Sequence, residues 1–127
     1  MCGIVGIYSE NHVASSIYDS LLMLQHRGQD AAGMSVCDST GKINSRKSKG
    51  YVRDTFHQGH MSRLLGNYGI GHVRYPTAGG GGKEFAQPMY VNSPYGISIA
   101  HNGNLTNSKT LARELFHAEM RHLNTDS

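Results

Sequence analysis

Cysteine is scarce in this chain of 127 residues, and Cys2 and Cys37 are the only two. Two cysteines cannot form the disulfide framework that is typical of small secreted domains. The N-terminus also lacks a basic segment followed by an apolar one, so the sequence shows no secretory signal peptide. Both absences favour a protein of the reducing cytoplasm.

Long apolar runs are missing as well. None approaches the roughly 18–20 residues that a membrane-spanning helix requires, and we therefore predict no membrane partner. Hydrophobic residues make up 38% of the chain, which is enough to build a core. A chain of this length forms at most one domain, which we place at residues 1–127.

A strong excess of either charge is absent too, since 12 basic and 9 acidic residues leave a net charge of +3. One dense basic cluster lies on a predicted hairpin and comprises Arg46, Lys47, Lys49 and Arg53. A nucleic-acid-binding module would need a basic stripe and a recognisable motif, and the sequence has neither. We interpret the cluster as a solvated face and predict no nucleic-acid partner.

Apolar patterning predicts more strands than helices. The predicted strands cover residues 3–8, 31–37, 42–47, 68–73 and 97–101, and the first of them is predicted to be buried. Between the last two strands lies a loop rich in glycine and proline, residues 76–94. Cys37, inside the second strand, is predicted to be a small core residue. The pattern is typical of an α+β fold with largely antiparallel strands.

Three helices are predicted. The first has Ser15 or Ser16 as its N-cap and ends at Gly28 in a left-handed conformation. The second is a short helix at residues 57–65. The third begins at a Thr106 cap and runs to about His122.

Familiar cofactor motifs are incomplete. The glycine run before Lys83 lacks the glycine and the Ser or Thr of a phosphate-binding loop, because positions 77 and 84 are Thr77 and Glu84. His57 and His60 lie three residues apart, but no third metal ligand has a useful spacing. We therefore predict that this chain itself holds no cofactor and no metal.

Cys2 follows the initiator methionine and precedes an apolar stretch. If Met1 is removed, one residue carries both a thiol and a free α-amine. The amine has a pKa of about 8 and the thiol one of about 8.5, so the amine can accept the thiol proton. The alternative is that Cys2 is simply an early residue of a strand.

Two further segments carry chemistry that an amide hydrolase needs. In the first, the Asn102 amide and the Gly103 N–H can both point at one oxygen, as an oxyanion hole requires. Asn-Gly is also a favoured hairpin turn, and that alternative stays open. In the second, the Arg74 guanidinium is suited to hold a carboxylate, or it forms a structural ion pair. A polar stretch at residues 25–33 forms either a pocket wall or a capped helix end.

Together these segments resemble the class II glutamine amidotransferases, which are N-terminal-nucleophile hydrolases. The matching stretches are residues 2–7, 26–33, 71–77 and 101–104. The resemblance implies an αββα sandwich, which residues 1–127 would encode incompletely at the C-terminal end. Residues 24–33, 72–79, 87–88 and 91–97 are most similar to the members that transfer ammonia to phosphoribosyl pyrophosphate.

The resemblance also implies catalytic roles. Cys2 would be the nucleophile, with its own α-amine as general base. The Asn102 side chain and the Gly103 N–H would form the oxyanion hole. The reaction would convert glutamine to glutamate and ammonia through a thioester.

Substrate-binding roles are implied in the same way. Arg74 would hold the α-carboxylate of glutamine. Arg27 and Gly28 would line the surroundings of the nucleophile, and Tyr75 would lie at the pocket and its route to the acceptor site.

Some of the family's parts are expected outside residues 1–127. They are the aspartate that receives the α-amino group of glutamine, expected just after Ser127, and the phosphoribosyltransferase domain with its magnesium. The full-length protein is expected to be a homo-oligomer. Two alternatives stay open: an inactive truncated fragment that acts at most as an association module, and a class II glutaminase that serves another acceptor.

Overall fold

A four-stranded antiparallel sheet forms the centre of the chain. The computed structural model describes residues 1–75 and 83–119. The strands of the sheet are β1 (Gly3–Tyr8), β2 (Ala31–Cys37), β3 (Ile43–Lys49) and β4 (Tyr68–Arg74). They lie side by side in the order β1-β4-β2-β3. The mixture of helices and antiparallel strands agrees with the predicted α+β class.

Short helices and a second, two-stranded sheet complete the described part. The helices are α1 (Ala14–Met23), α2 (Val52–Thr55), α3 (Gln58–Met61) and α4 (Ser108–Glu119), with 3₁₀ turns at Gln25–Arg27 and Lys83–Phe85. The second sheet pairs β5 (Met89–Val91) with β6 (Ile97–Ile99). None of the helices in this part has the length and apolarity of a membrane span.

Helix α1 covers one face of the central sheet. Its Ile17 and Leu21 are fully buried and belong to the same core cluster as Met34 and Val36 of β2. Met34 and Val36 are two residues apart on the strand, so they point to the same face. The apolar side of the amphipathic helix and this face of β2 therefore form the core.

The opposite face of the central sheet carries the two-stranded sheet. The hydroxyl of Ser98 on β6 donates to the hydroxyl of Ser35 on β2 at 2.8 Å. The Lys47 Nζ on β3 donates to the Pro88 carbonyl, just before β5, at 3.1 Å. The described residues thus form a helical layer and two sheet layers.

Several sequence-based predictions about the first 30 residues were wrong. Strand β1 is an edge strand and is only half-buried, with alternate residues exposed. Helix α1 begins after Val13, and no side chain caps it. Gly28 has an extended backbone with φ −164°, because a 3₁₀ turn ends the helical segment before it.

Short elements also differ from the prediction. The predicted helix at residues 57–65 is reduced to Gln58–Met61, and α2 was missed entirely. Strand β5 lies inside the predicted loop at residues 76–94. Helix α4 begins at Ser108 rather than after a Thr106 cap, and its predicted end at His122 lies outside the described residues.

The basic cluster is not merely a solvated face. The Arg46 Nε donates to the Thr55 carbonyl of α2 at 3.2 Å, whereas Lys47 reaches Pro88 in the other layer. Neighbouring residues of a strand point to opposite faces, so these two side chains tie β3 to both adjacent layers. Cys37 is buried as predicted.

Candidate active site

The site lies where β1 begins and β4 ends. Gly3 pairs with Val73 in the antiparallel ladder, so Cys2 lies beside the residues that follow β4. The Tyr75 N–H donates to the Cys2 Sγ at 3.3 Å, and the thiol approaches the Tyr75 carbonyl at 3.9 Å. The register between the edge strand β1 and its neighbour β4 therefore fixes the position of the thiol.

Two side chains from distant parts of the chain converge on the Cys2 carbonyl oxygen. Arg27 donates to it through Nε at 3.1 Å. Asn102, 100 residues away in sequence, donates through Nδ2 at 2.9 Å. The segments predicted from sequence to act together therefore meet at Cys2.

A cavity of about 440 Å³ adjoins Cys2. Six of the seven predicted site residues line it, namely Cys2, Arg27, Arg74, Tyr75, Asn102 and Gly103. Its volume lies in the range that small-molecule sites usually have. A larger cavity of about 540 Å³ lies between the two sheets, but none of the predicted site residues lines it. The chemistry of the lining residues favours the cavity at Cys2.

Gly28 is the predicted site residue that does not line this cavity. It lines a neighbouring cavity of about 430 Å³, to which Tyr75 also contributes. A Cβ on Gly28 would lie only 2.5 Å from the Arg74 carbonyl carbon. The role of this glycine is therefore to let the 3₁₀ turn pass close to the end of β4.

The Asn102-Gly103 segment is not a hairpin turn. Strand β6 ends at Ile99, and the next regular element is α4. Gly103 has φ +153°, in a region that L-residues rarely adopt. The Gln87 side chain fixes the preceding residue, because its Oε1 accepts the His101 N–H at 2.7 Å. Gln87 also lines the cavity. In the sequence it belongs only to one of the stretches that carry the family resemblance, residues 87–88, and from that stretch alone we predict no role for it.

Arg74 forms the ion pair that was one of its two predicted alternatives. Its Nη1 donates to the Asp30 carboxylate, and both side chains are largely buried. The guanidinium also lies over the Phe85 ring, 5.2 Å from its centroid. A guanidinium has five N–H donors, so pairing with Asp30 is compatible with binding a substrate carboxylate as well. Sequence reasoning missed Asp30, which lies inside the 25–33 stretch without a distinguishing signal.

His72 lies on the same strand as Arg74, two residues earlier, and is completely buried. In the described part of the chain, no group meets hydrogen-bonding geometry with either ring nitrogen. Burial lowers the pKa of His72 to about 4, and the neighbouring Asn102 side chain and His101 backbone offset only part of this effect. The ring is therefore neutral at physiological pH.

Metal ligands do not assemble within residues 1–75 and 83–119, where no three His, Cys, Asp or Glu side chains form a group that could hold an ion. Magnesium was expected only in a further domain. That expectation stays a prediction.

Several curated proteins with a similar sequence are amidophosphoribosyltransferases. No protein-family model matches the chain. The enzyme of Pseudomonas aeruginosa is 58% identical over 127 residues, which are 100% of this chain and 25% of the relative. The enzyme of Escherichia coli has the same identity and coverage. The enzyme of Saccharomyces cerevisiae is 52% identical over 130 residues, which are 100% of this chain and 26% of the relative. The chain spans about a quarter of the length of these curated relatives.

Solved structures show the same similarity. The glutamine phosphoribosylpyrophosphate amidotransferase of B. subtilis, complexed with ADP and GMP, matches 100% of this chain and 27% of its own length. The TM-score is 0.86 at 32% identity. A structure described as the allosteric regulatory enzyme of purine biosynthesis matches 97% of this chain, also with a TM-score of 0.86, at 35% identity. These matches confirm the predicted resemblance and the predicted fold class, whereas the roles of single site residues stay predictions.

Proposed function

We propose that this chain is the glutamine-hydrolysing part of an amidophosphoribosyltransferase, with Cys2 as its nucleophile. The observation that carries the proposal is the convergence at Cys2. Its backbone carbonyl accepts from Asn102 at 2.9 Å, its thiol accepts from Tyr75, and Arg74 lines the same cavity. An acyl-transfer site needs a nucleophile, an oxyanion donor and a substrate anchor within reach of one another.

Removal of Met1 completes the nucleophile. Met1 is 82% exposed, so its peptide bond to Cys2 lies at the surface. The α-amine that its removal frees is attached to the same Cα as the thiol side chain. The amine accepts the thiol proton as Sγ attacks the amide carbonyl of the glutamine side chain.

The reaction then passes through a thioester. When the tetrahedral intermediate collapses, the C–N bond of the substrate amide breaks and the new C–S bond remains. The proton held by the α-amine leaves with ammonia. Water attacks the thioester with the amine again as base, which releases glutamate and restores the thiol. The Asn102 Nδ2 and the Gly103 N–H stabilise the negative oxygen of each tetrahedral intermediate.

The arginine side chains of the cavity bind the substrate and hold the nucleophile's backbone in place. Arg74 holds the α-carboxylate of glutamine through a bidentate pair, and Asp30 fixes the guanidinium from the side. Arg27 holds the Cys2 carbonyl at 3.1 Å and so restrains the nucleophile's backbone. Tyr75 lines both the cavity at Cys2 and the neighbouring one, which suits a residue on the route of ammonia.

The whole enzyme would extend beyond this chain. We propose that ammonia passes to phosphoribosyl pyrophosphate on a phosphoribosyltransferase domain, where magnesium supports the displacement of pyrophosphate in purine synthesis. We also propose that the full-length protein is a cytoplasmic homo-oligomer. The similarity to relatives four times as long as this chain supports this extension.

Glutamine turnover by the purified chain tests the proposal. The wild type is expected to release glutamate, and Cys2→Ser is expected to abolish the release. The matched control is Cys37→Ser, because Cys37 is the other cysteine, is buried in β2 and does not line the cavity. Turnover that survives in Cys2→Ser overturns the assignment. A folded wild type without turnover favours the association-module alternative, and a coding sequence downstream that lacks a phosphoribosyl-pyrophosphate domain favours another acceptor.

A further inference from the structure

The oxyanion segment, residues 101–104, has no regular secondary structure of its own. It lies between the end of β6 at Ile99 and the start of α4 at Ser108, and its four residues are exposed. Neither a strand ladder nor a helix therefore fixes its main chain. An oxyanion hole acts through donors that are in place before the reaction begins. Contacts from outside the segment have to supply this order.

Cys2 and Gln87 both hold the segment through hydrogen bonds. The Asn102 Nδ2 donates to the Cys2 carbonyl at 2.9 Å, and this bond fixes a side chain. The His101 N–H donates to the Gln87 Oε1 at 2.7 Å, and this bond fixes the main chain. The second donor of the proposed oxyanion hole is the backbone N–H of Gly103. Its position depends on the main chain, so the contact with Gln87 bears on it directly.

The backbone of Gln87 lies directly on the central sheet. Its carbonyl oxygen passes so close to Gly33 on β2 that a Cβ there would lie 2.1 Å from it. The next carbonyl along the chain, that of Pro88, accepts the Lys47 Nζ at 3.1 Å. Gly33 and Lys47 are cross-strand partners in the ladder between β2 and β3. One residue pair of the sheet therefore supports both carbonyls.

The Gln87 side chain connects this supported backbone to the oxyanion segment. Gln87 is half-buried, and its neighbours Ala86 and Pro88 are buried. A side chain orders another group only when its own position is fixed by its surroundings. The contacts therefore lead from the sheet through Gln87 to the His101 N–H, one residue before Asn102.

We propose that Gln87 is a positioning residue that holds the main chain of the oxyanion segment on the central sheet. It thereby places the Gly103 N–H and the Asn102 side chain for the tetrahedral intermediate. The inference rests on the proposed glutaminase function. A displacement of about 1 Å in such a group can cost about 10²-fold in rate. Substrate affinity should change little, because Arg74, which anchors the substrate, is held by Asp30 instead.

The first test replaces Gln87 by methionine, which has a similar length but no amide oxygen to accept the His101 N–H. Glutamine turnover needs the oxyanion hole, whereas alkylation of Cys2 by iodoacetamide passes through no oxyanion. We expect Gln87→Met to lower kcat by about 10- to 100-fold. KM and the alkylation rate are expected to change by less than about threefold, since neither depends on the oxyanion hole.

The matched control is Gln58→Met, the same substitution at an exposed position of α3 that does not line the cavity at Cys2. It is expected to leave kcat unchanged. A kcat that Gln87→Met also leaves unchanged overturns the proposal. A raised KM with an unaltered kcat overturns it as well, because it indicates direct binding of substrate by Gln87. A parallel loss of kcat and of Cys2 alkylation overturns it too, because it indicates general disruption.

The second test needs neither activity nor a variant. NMR detects a scalar coupling across a hydrogen bond, here between the His101 amide nitrogen and the side-chain carbonyl carbon of Gln87. The reference is a contact of the same kind elsewhere in the chain, where the Gln25 Oε1 accepts the Val52 N–H at 2.8 Å. We expect both couplings in the wild type. A spectrum that shows the Gln25 coupling without the Gln87 coupling overturns the contact.

The outcomes also separate this inference from the proposed function. A folded wild type that does not hydrolyse glutamine overturns the proposed function and with it the role of Gln87 in catalysis. An active wild type with an unaffected Gln87→Met overturns only the role of Gln87.

Discussion

Acidification should destabilise the folded chain through the side chain of His72. An unfolded histidine titrates near 6.5, whereas burial lowers the pKa of His72 in the folded chain to about 4. Between these values the unfolded chain binds a proton at this position that the folded chain does not bind. Stability therefore rises with pH across this window, and the contribution of His72 is fully present above about pH 6.5.

The size of the effect follows from the two pKa values. The free energy of unfolding should fall by about 2 kcal/mol between pH 7.5 and pH 5 because of this group alone. By pH 4 the loss should reach about 3 kcal/mol. A small domain has only about 5–15 kcal/mol in total, so this loss is large enough to measure.

Urea unfolding at pH 7.5, 6.0, 5.0 and 4.0 measures the effect. Other titrating groups also change the stability of the chain, so the quantity to compare is the difference between wild type and His72→Leu at each pH. Leucine cannot bind a proton at this position. Lowering the pH from 7.5 to 5 should therefore reduce the free energy of unfolding of the wild type by about 2 kcal/mol relative to that of His72→Leu. A difference that stays constant over this range would show that His72 titrates normally and that the ring is solvated in solution.

Two further predictions concern the residues around the site. Asp30→Ala removes the carboxylate that pairs with the Arg74 guanidinium, whose side chain is 8% exposed. This change should cost about 3 kcal/mol of stability and should raise KM for glutamine. An unchanged urea midpoint contradicts this. Gly33→Ala should cost about 1–3 kcal/mol, because its Cβ would lie 2.1 Å from the Gln87 carbonyl oxygen. Gly59→Ala is the control, since no heavy atom lies within 4 Å of its Cβ, and it should be neutral or slightly stabilising in thermal unfolding.

The long strands could be predicted from sequence, whereas the short elements could not. Residues 31–37 are apolar and bounded by polar turns, so their pattern determines a strand without knowledge of their neighbours. Helix α2 has only four residues, and its start depends on the Gln25 side chain, whose Oε1 accepts the Val52 N–H at 2.8 Å. That contact spans 27 residues, and no local pattern contains it.

Gly28 shows that a glycine can be required for another reason than the one its position in the sequence predicts. A glycine after a helix usually adopts a left-handed conformation, so the sequence predicted one. Here the backbone is extended, and glycine is required because Arg74 passes too close for a side chain. The close approach depends on how the turn packs against β4, which is a property of the tertiary structure.

The candidate site residues could be selected from the sequence by their chemical type, but their contact partners could not. Cys2, Arg74 and Asn102 have functional groups that suggest nucleophile, carboxylate anchor and oxyanion donor by themselves. Asp30 and Gln87 act through contacts with Arg74 and His101, and these contacts span 44 and 14 residues. Only the fold brings such pairs together.

The central claim is that one residue supplies both the thiol and the base that activates it. A single preparation tests it: the chain is produced with a short N-terminal extension that a protease removes directly before Cys2, and glutamate release is followed before and after cleavage. The account predicts background turnover while the α-amine is blocked and a rise of at least about 10²-fold once it is free. Full turnover by the uncleaved chain, confirmed as uncleaved by its intact mass, would contradict it.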